Sequence, residues 1–585
     1  MNSLCHQVRR SAFSLALFQP TLRQTPNLFQ QGWVFSDCSA SSTRAVSSSS
    51  SIATPSSVPP SSPIPAPHTH LAQAEAAAAA GAANIDISHE LLERLKDPSL
   101  LHTAGYVDGQ WLGARSGLTY LVLNPANGKT LATMPLMRAD ETRAAIAAAH
   151  SVFPQWRAKT AKERCVVLRR WHDLIVQHSE DIAVIMTMEC GKPLAEARAE
   201  VAGGISSVEW FAEEGRRITG DIFETVSRDK RMITLKQPVG VVGAITPWNF
   251  PMSMITRKVS PALAAGCTVV LKPSELTPLT AIALAELADR AGIPAGVFNV
   301  VMGDAPAIGN ELVGNETVRK ITFTGSTNVG KMLAAGSAAS VKRISLELGG
   351  NAPIIVFEDA DLELAARGVV ASALRNSGQT CICANRIFVH ASVYDAFCAA
   401  VAEGVSKLRI GDGLEGGVTH GPLISGAAVE RVMGQVTDAL AKGATVLVGG
   451  KRGDLAGACS KGHFFEPTVI TNATVDMRCF KEETFGPLIP LFKFATEAEA
   501  ITLANTTEYG LASYFYTRDL ARAWRVAEEL EYGMVGVNEV AITSEVAPFG
   551  GMKQSGLGRE HSKYGLSEFL DIKYVCMGLG YTPPQ

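Results

Sequence analysis

Two cysteines in one short loop are the first candidates for chemistry in this sequence. The segment RNSGQTCICANR runs from Arg375 to Arg386 and carries Cys381 and Cys383 among small and polar residues. A cysteine attacks as a thiolate, so we expect Cys381 to lie where backbone N–H groups or a helix start lower the pKa of its thiol. Gly378, just ahead of it, would let the backbone come close. A buried structural cysteine is the alternative interpretation.

A carboxylate and an amide are the next candidates. Glu347 ends the apolar run RISLE and precedes two glycines, a placement in which it could serve as a general base. Asn249 lies in the turn TPWNFP, between Pro247 and Pro251, where a fixed amide could stabilise an oxyanion. Each residue also has a structural interpretation, because Glu347 could cap a backbone N–H group and Asn249 could close an Asx-turn.

Two predicted strand ends carry residues suited to a dinucleotide. The segment FTGSTNVG, ending at Gly330, joins a predicted strand to a predicted helix, so its glycines and free N–H groups could receive a phosphate. It lacks the G-x-G-x-x-G pattern, and many such turns contain glycine. In the segment KPSE, Lys272 and Glu275 could hydrogen-bond a ribose, although such residues are often only solvated. Glu275 would repel a 2′-phosphate, which favours NAD over NADP.

Alternating helices and strands must position these residues. From Asp140 the apolar spacing is helical, and strands are predicted between Phe223 and Val242. Strands and helices then alternate, which favours a parallel sheet with crossover helices, and a second set continues to about Phe549. The earlier helices are predicted over Lys162–His178, Ser179–Glu189 and Leu194–Arg217, and two of the later ones over Ala305–Gly314 and Leu362–Asn376.

Composition limits the classes of function. The chain has 585 residues, 46% hydrophobic and 19% charged, which is typical of a soluble globular protein of two or three domains. A net charge of -3 gives no basic field for a nucleic acid, and no run of about 18 apolar residues predicts a membrane span. The eleven cysteines show no metal-ligand spacing, so we predict no metal site and a reducing compartment.

The first 84 residues differ from the rest. Residues 1–74 contain four arginines, no lysine and one acidic residue, Asp37, a pattern typical of a targeting peptide. The mixture of apolar residues, arginine and serine from Val8 to Phe18 favours mitochondrial import, with the plastid as the alternative. The Ser/Pro-rich stretch from Ser39 to Pro67 predicts an unpacked linker, so the folded part is expected to begin near Ile85. A merely disordered tail is the other interpretation.

Seven motifs together resemble one protein family. TPWNFP, KPSE, FTGS, LELGG, GQTC, EETFGP and PFGGMKQSGLGRE occur in that order, and residues 85–578 resemble the aldehyde dehydrogenase superfamily. Within it, ITRK, FTGSTNVG, LRNSGQTCICANR and GLGREHSKYG are most similar to its succinate-semialdehyde dehydrogenase branch. The resemblance implies an α/β fold with a Rossmann-like NAD-binding domain, an α/β catalytic domain and a small β oligomerisation element. The implied boundaries are 85–218 and 239–347 for NAD binding, 348–552 for catalysis, and 219–238 and 553–578 for the oligomerisation strands.

The resemblance also implies a role for each matching residue. Cys381 matches the nucleophile, Glu347 the general base, and Asn249, with the Cys381 N–H group, the oxyanion hole. The residues implied to contact NAD are Thr246, Trp248, Lys272, Pro273, Ser274, Glu275, Gly325, Ser326, Thr327, Asn328, Val329, Gly330, Glu483 and Phe485. Those implied to bind the substrate are Arg257 and Arg375, with Thr543 in the place of a family serine and Ser544 beside it.

The activity implied is NAD-dependent oxidation of succinate semialdehyde to succinate, through a thiohemiacetal and a thioester, in the degradation of 4-aminobutyrate. The resemblance also implies a homotetramer. Another acidic semialdehyde, such as glutarate semialdehyde, is the nearest alternative, because two guanidinium groups fix a carboxylate but not a chain length. Surface salt bridges are the other interpretation of these arginines. A non-catalytic homologue of the same fold is the alternative from another class.

The spacing of the two loop cysteines suggests regulation as well. Cys383 follows Cys381 by two residues, close enough in sequence for a strained disulfide. We hypothesise that oxidation of this pair reversibly blocks catalysis.

Overall fold

Two sheets, each flanked by helices, make up most of residues 87–580, which are the residues that the structure, a computed structural model, describes. The predicted targeting segment, residues 1–84, lies outside them. The strands are β1 (Gly105–Val107), β2 (Gln110–Leu112), β3 (Thr119–Leu123), β4 (Thr130–Pro135), β5 (Ile222–Phe223), β6 (Lys230–Pro238), β7 (Val241–Ile245), β8 (Thr268–Lys272), β9 (Phe298–Val300), β10 (Val318–Thr324), β11 (Arg343–Glu347), β12 (Ala352–Val356), β13 (Ala384–His390), β14 (Thr445–Val448), β15 (Thr468–Ala473), β16 (Leu488–Phe494), β17 (Tyr509–Gly510), β18 (Ala512–Tyr516), β19 (Met534–Val537), β20 (Met552–Lys553), β21 (Gly556–Leu557) and β22 (Leu570–Gly578).

Helices connect most of the parallel strands. The α-helices are α1 (His89–Leu92), α2 (Ala139–Ala158), α3 (Ala161–Gln177), α4 (Ser179–Cys190), α5 (Leu194–Glu214), α6 (Ser253–Ala265), α7 (Leu279–Arg290), α8 (Ala305–Gly314), α9 (Thr327–Ala338), α10 (Leu362–Ala373), α11 (Tyr394–Ser406), α12 (Gly426–Ala441), α13 (Arg478–Lys481), α14 (Glu497–Asn505), α15 (Leu520–Glu529) and α16 (Ser562–Ser567). Short 3-10 helices lie at Pro98–Leu100, Gly215–Arg217, Arg375–Gly378 and Gly457–Lys461.

The first sheet has the strand order β2-β1-β9-β8-β7-β10-β11-β21. Its strands from β9 to β11 are parallel, whereas β1, β2 and β21 pair antiparallel. From β7 the chain runs outward through β8 and β9 on one side and through β10 and β11 on the other. Ligands of such sheets bind beyond the carboxyl ends of the strands, at the point where the order reverses.

Burial explains why the central strand β8 is rich in apolar residues. Strand β8 is buried along its whole length, because helices cover both faces of a parallel sheet. Helices α6, α7, α8 and α9 are the successive crossovers between β7 and β11. This alternation confirms the predicted α/β fold class.

The second sheet has the order β14-β15-β16-β13-β12-β18-β19, parallel except for the β14–β15 pair. Helix α10 leads from it toward the Cys381 loop. The predicted helix over Leu362–Asn376 is too long, because α10 ends at Ala373 and Asn376 adopts a φ of 51° that no α-helix contains.

A third sheet has the order β22-β6-β5. Strands β6 and β22 pair antiparallel over nine positions, from Leu570 opposite Pro238 to Gly578 opposite Lys230. Apolar side chains exposed on this sheet are Ile222, Phe223, Leu235, Ile572, Tyr574 and Met577. Exposed apolar groups concentrated on one small sheet are typical of a surface that another protein covers.

Three negative findings concern residues 87–580. None of their helices is both long and apolar enough to pass through a bilayer. Within the same range, no group of three or more His, Cys, Asp or Glu side chains could hold a metal ion. The cysteines of this part of the chain, from Cys165 to Cys576, are free thiols.

Candidate active site

The loop that carries Cys381 contains three successive residues in the left-handed region. Asn376, Ser377 and Gly378 have φ values of 51°, 56° and 75°. A Cβ atom at Gly378 would lie 2.1 Å from the carbonyl oxygen of Gly486, so this position requires glycine. The loop therefore takes a shape that ordinary residues resist, and its neighbours must hold it.

Buried hydrogen bonds hold this loop. The Asn376 N–H group donates to the carboxylate of Glu196 at 3.0 Å, and the Ser377 hydroxyl donates to the carbonyl of Gly421 at 2.9 Å. The Gln379 side chain accepts a hydrogen bond from the Ile424 N–H group at 2.9 Å and donates to the carbonyl of Asn376 at 3.2 Å. These bonds together hold the backbone just ahead of Cys381 in one conformation.

Asn249 bridges the turn after β7 and the Cys381 loop. Its Nδ2 atom donates to the carbonyl of Gln379 at 2.9 Å. Its own carbonyl accepts hydrogen bonds from Lys192 Nζ at 2.7 Å and Asn376 Nδ2 at 2.9 Å. Lys192 is itself paired with Glu200, and both side chains are almost fully buried. The amide of Asn249 is thus held in one place beside the cysteine.

A first cavity of about 240 Å³ lies where the sheet order reverses. The predicted site residues that line it are Trp248, Asn249, Gly325, Ser326, Cys381, Glu483 and Phe485. The structure does not bring the remaining predicted cofactor residues into this lining, but it places them nearby. Thr246 follows β7 and donates its N–H group to the carbonyl of Lys272 at the end of β8.

One end of the first cavity is aromatic and acidic. The rings of Trp248 and Phe485 meet edge to face, with centroids 5.6 Å apart. Glu483 accepts a hydrogen bond from the Gly350 N–H group at 2.9 Å, and burial raises the pKa of its carboxyl to about 7. A flat ring and a hydroxyl-bearing sugar are the groups that such a wall can receive.

Ser326 at the other end of the cavity, together with residues that lie near it, suits a nucleotide's phosphates and ribose. Ser326 caps α9 by accepting a hydrogen bond from the Val329 N–H group, so the free N–H groups of that helix start beside the cavity. Lys272 Nζ and a Glu275 carboxylate oxygen lie 2.7 Å apart. The buried hydroxyl oxygen of Thr246 has no hydrogen-bond partner among the described residues. These residues therefore fit a dinucleotide.

The residues predicted to contact the cofactor, from Gly325 to Gly330, lie in two different places. Gly325 and Ser326 line the cavity, whereas Thr327, Asn328, Val329 and Gly330 belong to α9 and lie outside its lining. A Cβ atom at Gly330 would lie 2.4 Å from Leu348 Cδ2, so this glycine allows the helix to pack closely. Pro273 and Ser274, also predicted, are buried after β8 and outside the lining.

A second cavity, of about 450 Å³, meets the first at Cys381. It is lined by the predicted substrate and redox residues Arg257, Arg375, Thr543, Ser544 and Cys383. Aromatic rings support both guanidinium groups: Arg257 Cζ lies 4.8 Å from the Phe549 centroid, and Arg375 Cζ lies 5.2 Å from the Phe250 centroid.

Of the charged side chains in the second cavity, some have a close partner of opposite charge and others do not. Arg257 Nη1 is buried without a hydrogen bond within the described chain, and its nearest carboxylate oxygen, on Glu560, is 3.6 Å away. The carboxylate of Glu200, which also lines the cavity, is matched by Lys192. A carboxylate ligand would complete the hydrogen bonding of Arg257.

The thiol of Cys381 is protonated at neutral pH. Burial, followed by the charges of Glu483 and Glu347, raises its pKa to about 12. The predicted lowered pKa is therefore wrong. No helix begins at Cys381, which precedes strand β13, and the charges of Glu483 and Glu347 outweigh the opposing charge of Arg257.

Glu347 ends β11 and lies outside the linings of both cavities. Its Oε2 atom is buried without a hydrogen-bond partner in the described part of the chain. Burial and the charge of Glu560 raise the pKa of Glu347 well above its usual range, while the charges of Lys258 and Arg257 act in the opposite direction. The environment of Glu347 therefore disfavours its charged form, so this group becomes a proton acceptor at higher pH than an ordinary glutamate.

Sequence reasoning missed several residues of the site. Met254, Leu348 and Arg431 line the first cavity, and Glu545 and His561 line the second. Of Arg431, Glu545 and His561, only His561 lies inside one of the motifs that carry the family resemblance, GLGREHSKYG. Arg431 comes from α12, far along the chain, and no local pattern marks it.

Comparison with known proteins agrees with this arrangement. Residues 111–575 match the aldehyde dehydrogenase family. The NADP(+) succinate-semialdehyde dehydrogenase of Escherichia coli strain K12 is 56% identical, over 83% of this chain and 100% of the relative. The mitochondrial succinate-semialdehyde dehydrogenase of rice and a glutarate-semialdehyde dehydrogenase of Pseudomonas putida are also 56% identical over 83% of this chain, covering 92% and 100% of those relatives.

A solved structure extends the similarity to three dimensions. The crystal structure of an Escherichia coli NADP-dependent enzyme matches with a TM-score of 0.82 and 56% identity, over 83% of this chain and all of the other. On the family match and these identities, the chain belongs to the aldehyde dehydrogenase family.

Proposed function

We propose that this protein oxidises succinate semialdehyde to succinate, with NAD as the hydride acceptor and Cys381 as the nucleophile. The observation that carries the proposal is that Cys381 lines both cavities. One cavity suits a dinucleotide, and the other holds two guanidinium groups, on Arg257 and Arg375. An aldehyde that carries a carboxylate on a short chain would have its two ends matched by the sulfur and the guanidinium groups.

NAD would be held by residues at both ends of the first cavity. Trp248, Glu483 and Phe485 would surround the nicotinamide ring and its ribose, and Ser326, at the start of α9, would face the pyrophosphate. When bound, NAD accepts the hydride that leaves the aldehyde carbon. Side chains of the protein would form the carbon–sulfur bond and hydrolyse the thioester.

Cys381 begins the reaction by giving its proton to water and adding to the aldehyde carbon as a thiolate. The oxyanion that forms would accept hydrogen bonds from Asn249 Nδ2 and the Cys381 N–H group, which are held in position before the reaction. Departure of the hydride leaves a thioester on Cys381. Glu347, in its charged form, would take a proton from water, and the resulting attack on the thioester releases succinate and the free thiol.

Substrate selection in this proposal rests on the arginines. Arg257 and Arg375 would clamp the distal carboxylate, with the hydroxyl of Thr543 or Ser544 beside them. The nearest alternative substrate is glutarate semialdehyde, which differs by one methylene group. The Pseudomonas putida relative named for that substrate is as similar as those named for succinate semialdehyde.

Cofactor selection rests on Glu275. Its carboxylate lies 2.7 Å from Lys272 Nζ and would repel a 2′-phosphate, so we propose NAD rather than NADP. The Escherichia coli relative is named for NADP, which makes this residue the point to test.

Location and assembly complete the proposal. We propose that residues 1–84 direct the protein to the mitochondrial matrix, with a plastid as the alternative; the rice relative is named as mitochondrial. The three-stranded sheet of β5, β6 and β22 would pair subunits in a homo-oligomer, a tetramer by family resemblance. The first and second sheets would be the cores of the NAD-binding domain (85–218 and 239–347) and the catalytic domain (348–552), with 219–238 and 553–578 as the oligomerisation strands.

We also propose that Cys383 acts as a redox partner of Cys381. Both side chains line the second cavity, and Cys383 is 2% exposed. A disulfide between them would block the nucleophilic sulfur of Cys381, and reduction would restore the thiol.

The experiment that tests the main proposal measures NADH formation at 340 nm. Purified protein would be given succinate semialdehyde, glutarate semialdehyde or butanal, with Arg257→Ala and Arg375→Ala variants in parallel. Arg367→Ala, a change at an exposed arginine of α10, is the control. We expect a preference for succinate semialdehyde that falls roughly 10- to 100-fold in each cavity variant, since a charge-assisted hydrogen bond contributes about 1.5–3 kcal/mol. Equal rates on butanal and succinate semialdehyde, untouched by either change, would contradict the proposal.

A further inference from the structure

His561 holds a backbone conformation that glycine alone adopts with ease. Its φ is 57° and its ψ is -179°. The surrounding chain fixes this conformation: the Ser562 N–H group donates to the Glu545 carbonyl at 2.8 Å, and the His561 carbonyl accepts from the Gly565 N–H group at 2.7 Å. A bulky side chain kept at such a position indicates that the side chain itself has a task.

The imidazole ring of His561 is buried in the wall of the second cavity. It is 3% exposed, and its Nε2 atom lies 3.2 Å from the Ser207 hydroxyl oxygen. The other ring nitrogen, Nδ1, is buried beside the main-chain carbonyl of Ser544 and has no hydrogen bond of good geometry among the described residues. Buried polar atoms are nearly always paired, so Nδ1 is a position that a ligand could satisfy.

A second unpaired donor belongs to a residue of the same cavity wall. Arg257 Nη1 is also buried without a hydrogen bond among residues 87–580. The Phe549 ring is near both side chains, with its centroid 4.8 Å from Arg257 Cζ and 6.5 Å from the His561 ring centroid. Two unpaired donors in one cavity wall are the arrangement that a carboxylate, which only accepts hydrogen bonds, would complete.

The ring is neutral, which lets it share this site with a guanidinium group. Burial and the charge of Arg257 lower the pKa of His561 well below 6.5. A neutral imidazole carries one ring proton. The Ser207 hydroxyl oxygen lies 3.2 Å from both Nε2 and the Gly203 carbonyl oxygen. When its proton points to Nε2, the ring proton lies on Nδ1, where the Ser544 carbonyl and a carboxylate ligand compete for it.

We propose that His561 determines substrate specificity, its Nδ1–H group binding the distal carboxylate of the semialdehyde together with Arg257. This inference rests on the proposed function and deepens it, because it adds a neutral donor to the two guanidinium groups. This neutral N–H group adds a directional hydrogen bond but no charge. It therefore favours substrates whose carboxylate lies at one particular distance from Cys381.

Three variants test the inference. His561→Gly removes the ring and relieves the backbone, and His561→Gln keeps a side-chain N–H donor. Asn472→Gly is the control, because Asn472 has a φ of 55° and is exposed on β15, outside both cavity linings. The measurements are kcat and KM for succinate semialdehyde and for butanal, with the melting temperature of each variant.

We expect His561→Gly to raise KM for succinate semialdehyde about tenfold, by loss of one hydrogen bond to a charged group. Its kcat and KM for butanal should stay within about twofold of the unchanged protein, and His561→Gln should recover part of the loss. The control should change neither substrate's constants. Equal changes for both aldehydes, or no change in either, would overturn the inference. If the unchanged protein shows no preference for succinate semialdehyde, the proposed function fails as well; a preference that persists in His561→Gly overturns only the role of His561.

Discussion

The Asn249 side chain donates a 2.9 Å hydrogen bond to the carbonyl of Gln379, two residues before Cys381. This bond joins the turn after β7 to the nucleophile loop, so the amide and the sulfur come from different sheets but keep a fixed separation. The same amide is the one proposed to receive the oxyanion.

Replacing Asn249 by alanine should therefore affect the reaction more than the fold. We expect Asn249→Ala to lower kcat roughly 10²- to 10³-fold, the usual loss for one oxyanion-hole donor. Asn505→Ala is the matched control, because Asn505 Nδ2 also donates to a main-chain carbonyl at 2.9 Å, that of Glu529, outside both cavity linings. Steady-state NADH formation distinguishes the two, and similar losses in both variants would contradict the assignment.

The shape of the Cys381 loop depends on Gly378. Gly378→Ala combines a φ of 75° with a Cβ atom 2.1 Å from the Gly486 carbonyl oxygen, so we expect a large fall in melting temperature and loss of activity. Gly443 has a φ of 91°, but a Cβ atom there would meet no other atom within 4 Å, so Gly443→Ala should cost only about 1 kcal/mol of stability. Thermal unfolding followed by circular dichroism measures both. If Gly378→Ala were no less stable than Gly443→Ala, the close contact would not matter.

The raised pKa of Glu347 predicts how activity varies with pH. A general base works only when deprotonated, so thioester hydrolysis should speed up as the pH rises above the usual range of a glutamate. Glu347→Gln should release about one NADH per active site and then turn over at least 10²-fold more slowly. Rapid mixing separates this first turnover from the later steady state. Glu560→Gln removes the nearby negative charge and should move the rise in rate to lower pH; an unchanged profile would contradict the coupling of these two carboxyl groups.

The choice between NAD and NADP should respond to Glu275. Glu275→Gln removes the carboxylate beside Lys272, so we expect kcat/KM for NADP to rise about tenfold, with a smaller change for NAD. Glu403→Gln is the matched control, since Glu403 also lies 2.7 Å from a lysine, Lys407, on an exposed helix. Initial rates with each cofactor decide the matter, and an NADP rate that stays constant in Glu275→Gln would show that another residue sets the preference.

Peroxide provides a test of the cysteine pair. It should oxidise Cys381 and Cys383 to a disulfide, with water as the other product, and dithiothreitol should then restore activity. In Cys383→Ala no disulfide can form, so excess peroxide should oxidise Cys381 through the sulfenic acid to the sulfinic acid, which dithiothreitol does not reduce. Activity before and after dithiothreitol is the measurement. If peroxide inactivated both proteins alike and neither recovered, the hypothesis would be wrong.

Local signals explain why much of the fold could be predicted. The helix Ala305–Gly314 was predicted with its observed ends, because Asp304 caps it and accepts a hydrogen bond from the Ala307 N–H group. The end of α10 was missed, since Asn376 and Ser377 adopt positive φ values only under tertiary contacts such as those of Glu196 and Gly421.

The pKa shifts of the site residues were harder to predict than the positions of the candidate residues. Motif order named Cys381, Glu347 and Asn249 as candidates, and the structure brings Cys381 and Asn249 into one cavity lining. The direction of the Cys381 pKa shift, however, depends on burial and on Glu483, which is about a hundred residues away in sequence. The role proposed for His561 depends on a backbone angle and an unpaired nitrogen, neither of which has a sequence pattern.

The nine-position pairing of β6 with β22 has a consequence for how the protein is made. Strand β6 leaves the ribosome more than 300 residues before its partner, and Lys258 likewise waits for Glu560. Pairings so distant in sequence form late in folding. A nascent chain that already carries Cys381 therefore lacks part of the wall around it, and the ability to oxidise an aldehyde should arise only after synthesis has passed residue 578.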